Sequence, residues 1–169
     1  MKGLEDQSNM IGWIISNIVA LLMLLAAWRS ERLARLLFFL LFAWACVTNW
    51  RFALYLPEAY IEYASLSFLS IYRDFINGWF QQHTQLTVGI IACCQGLIAI
   101  SMLLKGWVLK LGFAGSIIFL LAIAPLGVGS GFPTTVTMAV AMFIISRRRA
   151  HDLLWRKPAV VAPFIEMVD

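Results

Sequence analysis

The sequence predicts an all-α fold, an integral membrane bundle of hydrophobic helices, and three observations carry that prediction. Hydrophobic residues fill 62% of the 169 positions and charged residues only 13%, with a mean hydropathy of +0.83. That balance lies far from a soluble domain, which must cover its exterior with polar groups. Apolar runs of roughly 15 to 20 residues recur with charges gathered between them, as bilayer-crossing helices do. The basic residues fall in separate clusters that agree with one membrane orientation. A single membrane domain over residues 1–169 follows.

Five segments qualify as spans: 10–28, 33–50, 86–104, 111–126 and 132–146. At 1.5 Å per residue a crossing needs about 20 residues, so the first three suffice and the last two are short by about a turn. The first segment is too long for a signal-peptide core. It runs into Trp28 and RSERLAR rather than a small-residue cleavage site, and is therefore expected to be retained.

Ten of the 13 basic residues lie in three places. Arg29, Arg32 and Arg35 separate the first two spans, Lys105 and Lys110 the third and fourth, and Arg147, Arg148, Arg149, Arg156 and Lys157 follow the fifth. All three sites face the cytoplasm if the N-terminus is outside, and residues 147–169 then form a cytoplasmic basic tail. The opposite face carries Lys2, Arg51 and Arg73 against Glu5, Asp6, Glu58, Glu62 and Asp74. A net charge of +4 spread in this way marks topology and contact with anionic lipid, not a nucleic-acid surface.

Residues 57–82 break the pattern. Glu58, Glu62, Ser65, Ser70, Arg73, Asn77 and Gln81 recur at mostly helical spacing, and Tyr60, Tyr63, Phe68, Tyr72, Phe75, Trp79 and Phe80 fill the other faces. A sixth crossing here would put the later basic clusters outside, so the stretch is expected to be one or two amphipathic helices on the outer face, bent at Asn77 and Gly78. Pro57 suits a first-turn position. Arg73 is expected to pair with Asp74, Glu62 or Glu58, because lone charges near hydrocarbon are expensive. Short last spans leave the turn Pro125–Pro133 slightly below headgroup level, where irregular backbone needs a cover, and residues 57–82 are the natural one. Gly127, Gly129 and Gly131 allow close backbone approach there, for a tight turn or for a ligand.

Catalytic and metal-binding chemistry finds little to use. Cys46, Cys93 and Cys94 fall within spans without a CxxC pairing, where burial makes thiols inert, so they are expected to act as small hydrophobes. His83 and His151 lie on opposite sides, so no bis-histidine haem or metal site forms within one chain. GxSxG, phosphate-loop and HExxH motifs are absent from the sequence. The better leads are the polar groups inside spans, Asn17, Thr48, Asn49 and Gln95, each of which must find an interhelical partner or a ligand.

The order of features resembles a known family: an aromatic segment ending in YRDFINGWFQQH, a span containing GIIACCQGLIAISMLL, a short basic turn, then KLGFAGSIIFLLAIAPLGVGSGFP and a final span before a basic tail. Over about residues 33–149 this is similar to the DoxX-like group of small bacterial membrane proteins, which includes MauE-type bundles. The first span would be an addition to that group's four-span core. The resemblance implies an inner-membrane protein associated with oxidoreductase systems, in some members alongside quinone or thiol chemistry.

Two functions are therefore expected. One is a non-catalytic accessory or scaffold subunit of a larger membrane complex or homo-oligomer, docking through small-residue faces such as Gly112, Ala114, Gly115 and Ser116. The other is a redox-associated protein holding a quinone or lipid beneath the outer segment, contacted by Arg73, Trp79, His83 and Gln95 and by the turn glycines Gly127, Gly129 and Gly131. A transporter would show inverted repeats or intramembrane charges, and neither is visible.

Overall fold

A computed structural model describes residues 4–148 and 153–155, and every described element is helical or turn. Arg149, His151, Arg156, Lys157 and Lys2, which the sequence assigns to the tail and the N-terminus, lie outside the described residues. The long helices are α1 (Gln7–Arg29), α2 (Glu31–Tyr55), α5 (Thr84–Leu103), α6 (Gly106–Ile123) and α7 (Thr134–Ser146), and the short α3 (Tyr63–Leu66) and α4 (Ser70–Phe75) lie between α2 and α5.

Local chemistry sets the boundaries. Asp6 caps α1 by accepting from the Ser8 amide at 2.7 Å. Ser30 serves two helices at once: its amide donates to Ala26 at the end of α1, and its hydroxyl accepts from Leu33 at the start of α2. A single residue thereby folds the first hairpin.

Four helical segments are long and apolar enough to cross a bilayer: Gln7–Arg29, Glu31–Tyr55, Thr84–Leu103 and Gly106–Ser130. The fourth predicted span is thus not short, because helix begins at Gly106 and continues through a 3₁₀ stretch, Ala124–Ser130, to give 25 residues. The fifth is shorter than predicted: α7 has 13 residues, about 20 Å of rise. It is also heavily enclosed, burying Thr134, Thr135, Met138, Ala139, Ala141, Met142 and Ile145.

Helix packing runs α1–α2–α5–α6–α7 and closes back on α1. The α2–α5 pair is the tightest because small residues let the backbones approach. Gly89 sits 3.6 Å from the Trp50 ring and Gly96 3.1 Å from Cys46 Sγ, measured from the Cβ each lacks. Of the small residues expected to dock another subunit, Gly112 and Ser116 are buried, Gly112 against Ser101 and Met102 of this chain, whereas Ala114 is exposed and Gly115 half-buried.

The three basic clusters, as far as they are described, gather at one end. Arg35 is 1% exposed; its Nε donates to the Met102 carbonyl at 2.9 Å and its Nη2 to that of Leu104 at 2.6 Å, while Nη1 lies 3.3 Å from Glu31. Arg148 Nη2 donates to the Ala27 and Trp28 carbonyls at 2.6 and 2.8 Å. Each arginine satisfies the orphan carbonyls and the negative dipole end of another helix. Sequence reasoning counted both only as topology signals.

The other end is built from the Ala124–Pro133 turn and residues 57–82. The latter are not one or two helices but four short pieces: a 3₁₀ turn Pro57–Tyr60, α3, α4 and a π-type turn Ile76–Phe80. The chain is extended at Ser67 and Leu69, which lets the Ser67 hydroxyl and the Phe68 amide both donate to the Pro125 carbonyl, at 3.0 and 2.9 Å. Docking wins over helix continuity there. The expected bend is present as well, with Gly78 non-helical inside the π-type turn.

Candidate functional site

Beneath this cover lies a cavity of about 440 Å³, walled by α2, α5, α6 and α7 and closed at the turn end by Tyr60, Tyr63, Tyr72 and Ile76. None of its lining residues is charged, and most are apolar. A volume of this order suits a small organic ligand.

The cover is held down by hydrogen bonds and by glycine. Tyr72 donates to the Ala122 carbonyl at 2.7 Å, and Trp13 of α1 donates to that of Phe132 at 2.6 Å. Gly127 has φ +68° and a Cβ there would fall 2.5 Å from the Leu66 carbonyl oxygen, so both conformation and space demand glycine. A Cβ at Gly129 would meet the Tyr63 ring at 2.5 Å.

One wall carries a directed polar chain. Tyr60 donates to Asn49 Oδ1 at 2.6 Å, and Asn49 Nδ2 donates to Gln95 Oε1 at 2.7 Å. Amide orientation is assigned from the network. Reversing both amides would leave the Tyr60 hydroxyl proton without this acceptor. Burial pushes the Tyr60 phenol up to about 12, with neighbouring Tyr63 adding to the shift, so the hydroxyl keeps the proton it donates to Asn49. Tyr63 is raised too, by burial first and then by Glu62. The chain therefore ends on the Gln95 NH₂, a donor with no acceptor among the described residues.

Across the cavity, Thr134 and Thr135 begin α7. They are 4% and 3% exposed, they line the cavity, and neither hydroxyl has a hydrogen-bond partner among the described residues. Thr84, Thr87, Ser101, Ser116 and Thr137 each donate back to a carbonyl three or four residues earlier. Orphaned hydroxyls cost roughly 1–3 kcal/mol each.

The cavity reaches the bundle perimeter at Trp44, which lines it and is 67% exposed. Ser16 of α1, equidistant from the Ser30 junction, lines the same cavity. Buried residues of α1 begin only at Ala20, so the half of α1 nearer the turn end is the less enclosed.

Of the residues nominated from sequence, Gln95 and Gly129 line the cavity, and Gly127 and Gly131 pack the turn above it, Gly131 beside Ser16. Arg73, Trp79 and His83 do not line it. Trp79 stacks on His83 with ring centroids 4.5 Å apart, and the His83 ring bonds the Trp79 carbonyl. Arg73 forms no ion pair with Asp74, Glu62 or Glu58. Arg73 is half-buried, and the expected pairing is absent among the described residues. Cys46 is half-buried in α2, and Cys93 and Cys94 are exposed on the perimeter of α5, all three within segments apolar enough to cross a bilayer. Asn17 bonds the carbonyl of Trp13 one turn back. Sequence reasoning missed Thr134, Thr135 and Tyr60; a Thr-Thr pair directly after the glycine turn was the available signal. No group of three or more potential metal ligands occurs among the described residues. Comparison with family models, with curated proteins and with solved structures finds no match for this chain.

Proposed function

We propose that this protein is a multi-pass helical membrane protein that holds a neutral amphiphile, a quinone or a lipid, in the cavity beneath residues 57–82. The observation that carries this is a wholly uncharged cavity whose apolar walls end in the Tyr60–Asn49–Gln95 chain. Apolar walls with a few placed polar groups are the ordinary form of a small-molecule site. Trp44 lines the cavity and is itself largely exposed on the bundle perimeter, a position that suits exchange of a ligand dissolved in the bilayer. The role is binding rather than catalysis, and a scaffold role alone gives no reason for such a cavity.

The orientation goes with the proposal: the end holding Arg29, Arg32, Arg35, Lys105, Lys110, Arg147 and Arg148 is cytoplasmic in a bacterial inner membrane, and Glu5 lies outside. Kinship with DoxX-like proteins belongs here too and rests on the feature order and the APLGVGSGFP turn. Purification in mild detergent followed by solvent extraction tests the function. A stoichiometric neutral amphiphile, lost in Gln95→Leu, is expected. Stoichiometric protein partners with no extractable amphiphile would sink the proposal in favour of the accessory subunit.

A further inference from the structure

Resting on that proposal, we infer that the ligand's headgroup carries two separated carbonyl acceptors, one bound by Gln95 on α5 and the other by the hydroxyls of Thr134 and Thr135 on α7. Three facts converge on this chemistry. The Gln95 Oε1 already accepts from Asn49, whereas its NH₂ has no acceptor among the described residues and is the group left wholly unpaired at the cavity. Thr134 and Thr135 are buried and unpartnered in a protein whose other helical hydroxyls mostly bond back along their own helix. Both threonines lie in the first turn of α7, where the preceding chain is a glycine turn rather than helix, so the usual back-bonding carbonyl is not in place.

The two donor sets stand on different walls. α5 and α7 are not packed as neighbours, and the cavity lies between them. A ligand with one acceptor would satisfy one wall and leave the other orphaned. An anionic headgroup is disfavoured, because no lining residue carries a positive charge to repay its desolvation. What fits is a neutral apolar body with two acceptor oxygens and few donors. A ring dicarbonyl and the ester pair of a neutral glyceride share that chemistry.

The test uses the full chain in detergent with three probes: a para-benzoquinone bearing a decyl tail, dioctanoylglycerol, and decylbenzene, which has no acceptor. Quinone affinity is read by quenching of tryptophan fluorescence and the other two by displacement. At least one of the two dicarbonyl probes should bind more tightly than decylbenzene, and the tighter of them names the source. In Thr134→Val/Thr135→Val its Kd should rise about tenfold while that of decylbenzene is unchanged. Thr134→Ser/Thr135→Ser, which keeps the hydroxyls, should restore binding and guards against misfolding. Unchanged affinity in the valine variant, or an equal loss for decylbenzene, overturns the two-acceptor inference alone. If no probe binds the unmodified protein, the binding function falls with it.

Discussion

At the basic end, the carbonyls that finish α5 and α1 are taken up by the guanidinium groups of Arg35 and Arg148. At the turn end, the carbonyls near the close of α6, Ala122 and Pro125, are taken up by neutral donors: the Tyr72 and Ser67 hydroxyls and the Phe68 amide. Hydrogen bonds to charged groups contribute about 1.5–3 kcal/mol and neutral ones about 1 kcal/mol. The packing differs in the same sense. Phe38, Phe42, Met102, Leu109, Met142 and Ile145 join one core cluster with α1, whereas the turn end has the smaller cluster of Ala53, Ala64, Ile76, Phe80 and Val88. The cavity lies where the capping is neutral. The arginine end anchors the bundle, and the aromatic end, held by neutral donors, is the one that encloses the cavity.

The largest effect should come from Arg35→Met. It removes a buried guanidinium from two carbonyls and from its ion pair with Glu31, and breaking such a buried pair costs about 3 kcal/mol or more. Denaturant unfolding in detergent should register that loss, with ligand affinity at the far cavity little changed among molecules still folded. Gly127→Ala should come next, at roughly 1–3 kcal/mol, because it forces a side chain into left-handed backbone against the Leu66 carbonyl. Its signature is local: proteolysis within residues 57–82 should accelerate. If Gly127→Ala destabilises more than Arg35→Met, the assignment of anchor and cover is reversed.

How far this was legible in the sequence follows the same divide. Helix placement depended on hydropathy and was read to within a few residues for α1, α2 and α5, whose composition alone defines them. Missed were features set by tertiary docking. Nothing local says that Arg35 is buried rather than solvated, because its partners are carbonyls 67 and 69 residues away. The extended break at Ser67 owes its stability to Pro125, so helical periodicity across 57–82 misled. Gln95 was legible because an amide in a hydrocarbon span demands a partner. Arg73, Trp79 and His83 were nominated for polarity and proximity in sequence, yet the cover turns them away from the cavity.

The smallest effect, and the one that most sharpens the turn end, concerns the proton of Tyr60. Burial raises its phenol to about 12 in the folded protein, against 10.0 for an unperturbed tyrosine. A raised folded-state value favours the protonated form, so the stabilisation is fully present below about pH 10 and is lost as pH climbs through about 12. Deprotonation would also turn the Tyr60 oxygen into an acceptor facing Asn49 Oδ1, removing the donor that orients both amides. Stability in detergent should therefore fall between about pH 10 and 12, beyond any general alkaline drift, and Tyr60→Phe should flatten that part of the profile. Ligand affinity should decline in the same window, because reorientation of Asn49 and Gln95 replaces the free NH₂ with an oxygen. The control is Tyr55→Phe, since Tyr55 is an exposed residue at the end of α2, outside the chain of bonds. Equal flattening by both variants would mean that Tyr60 does not direct the amides and that the donor character of the Gln95 wall has another origin.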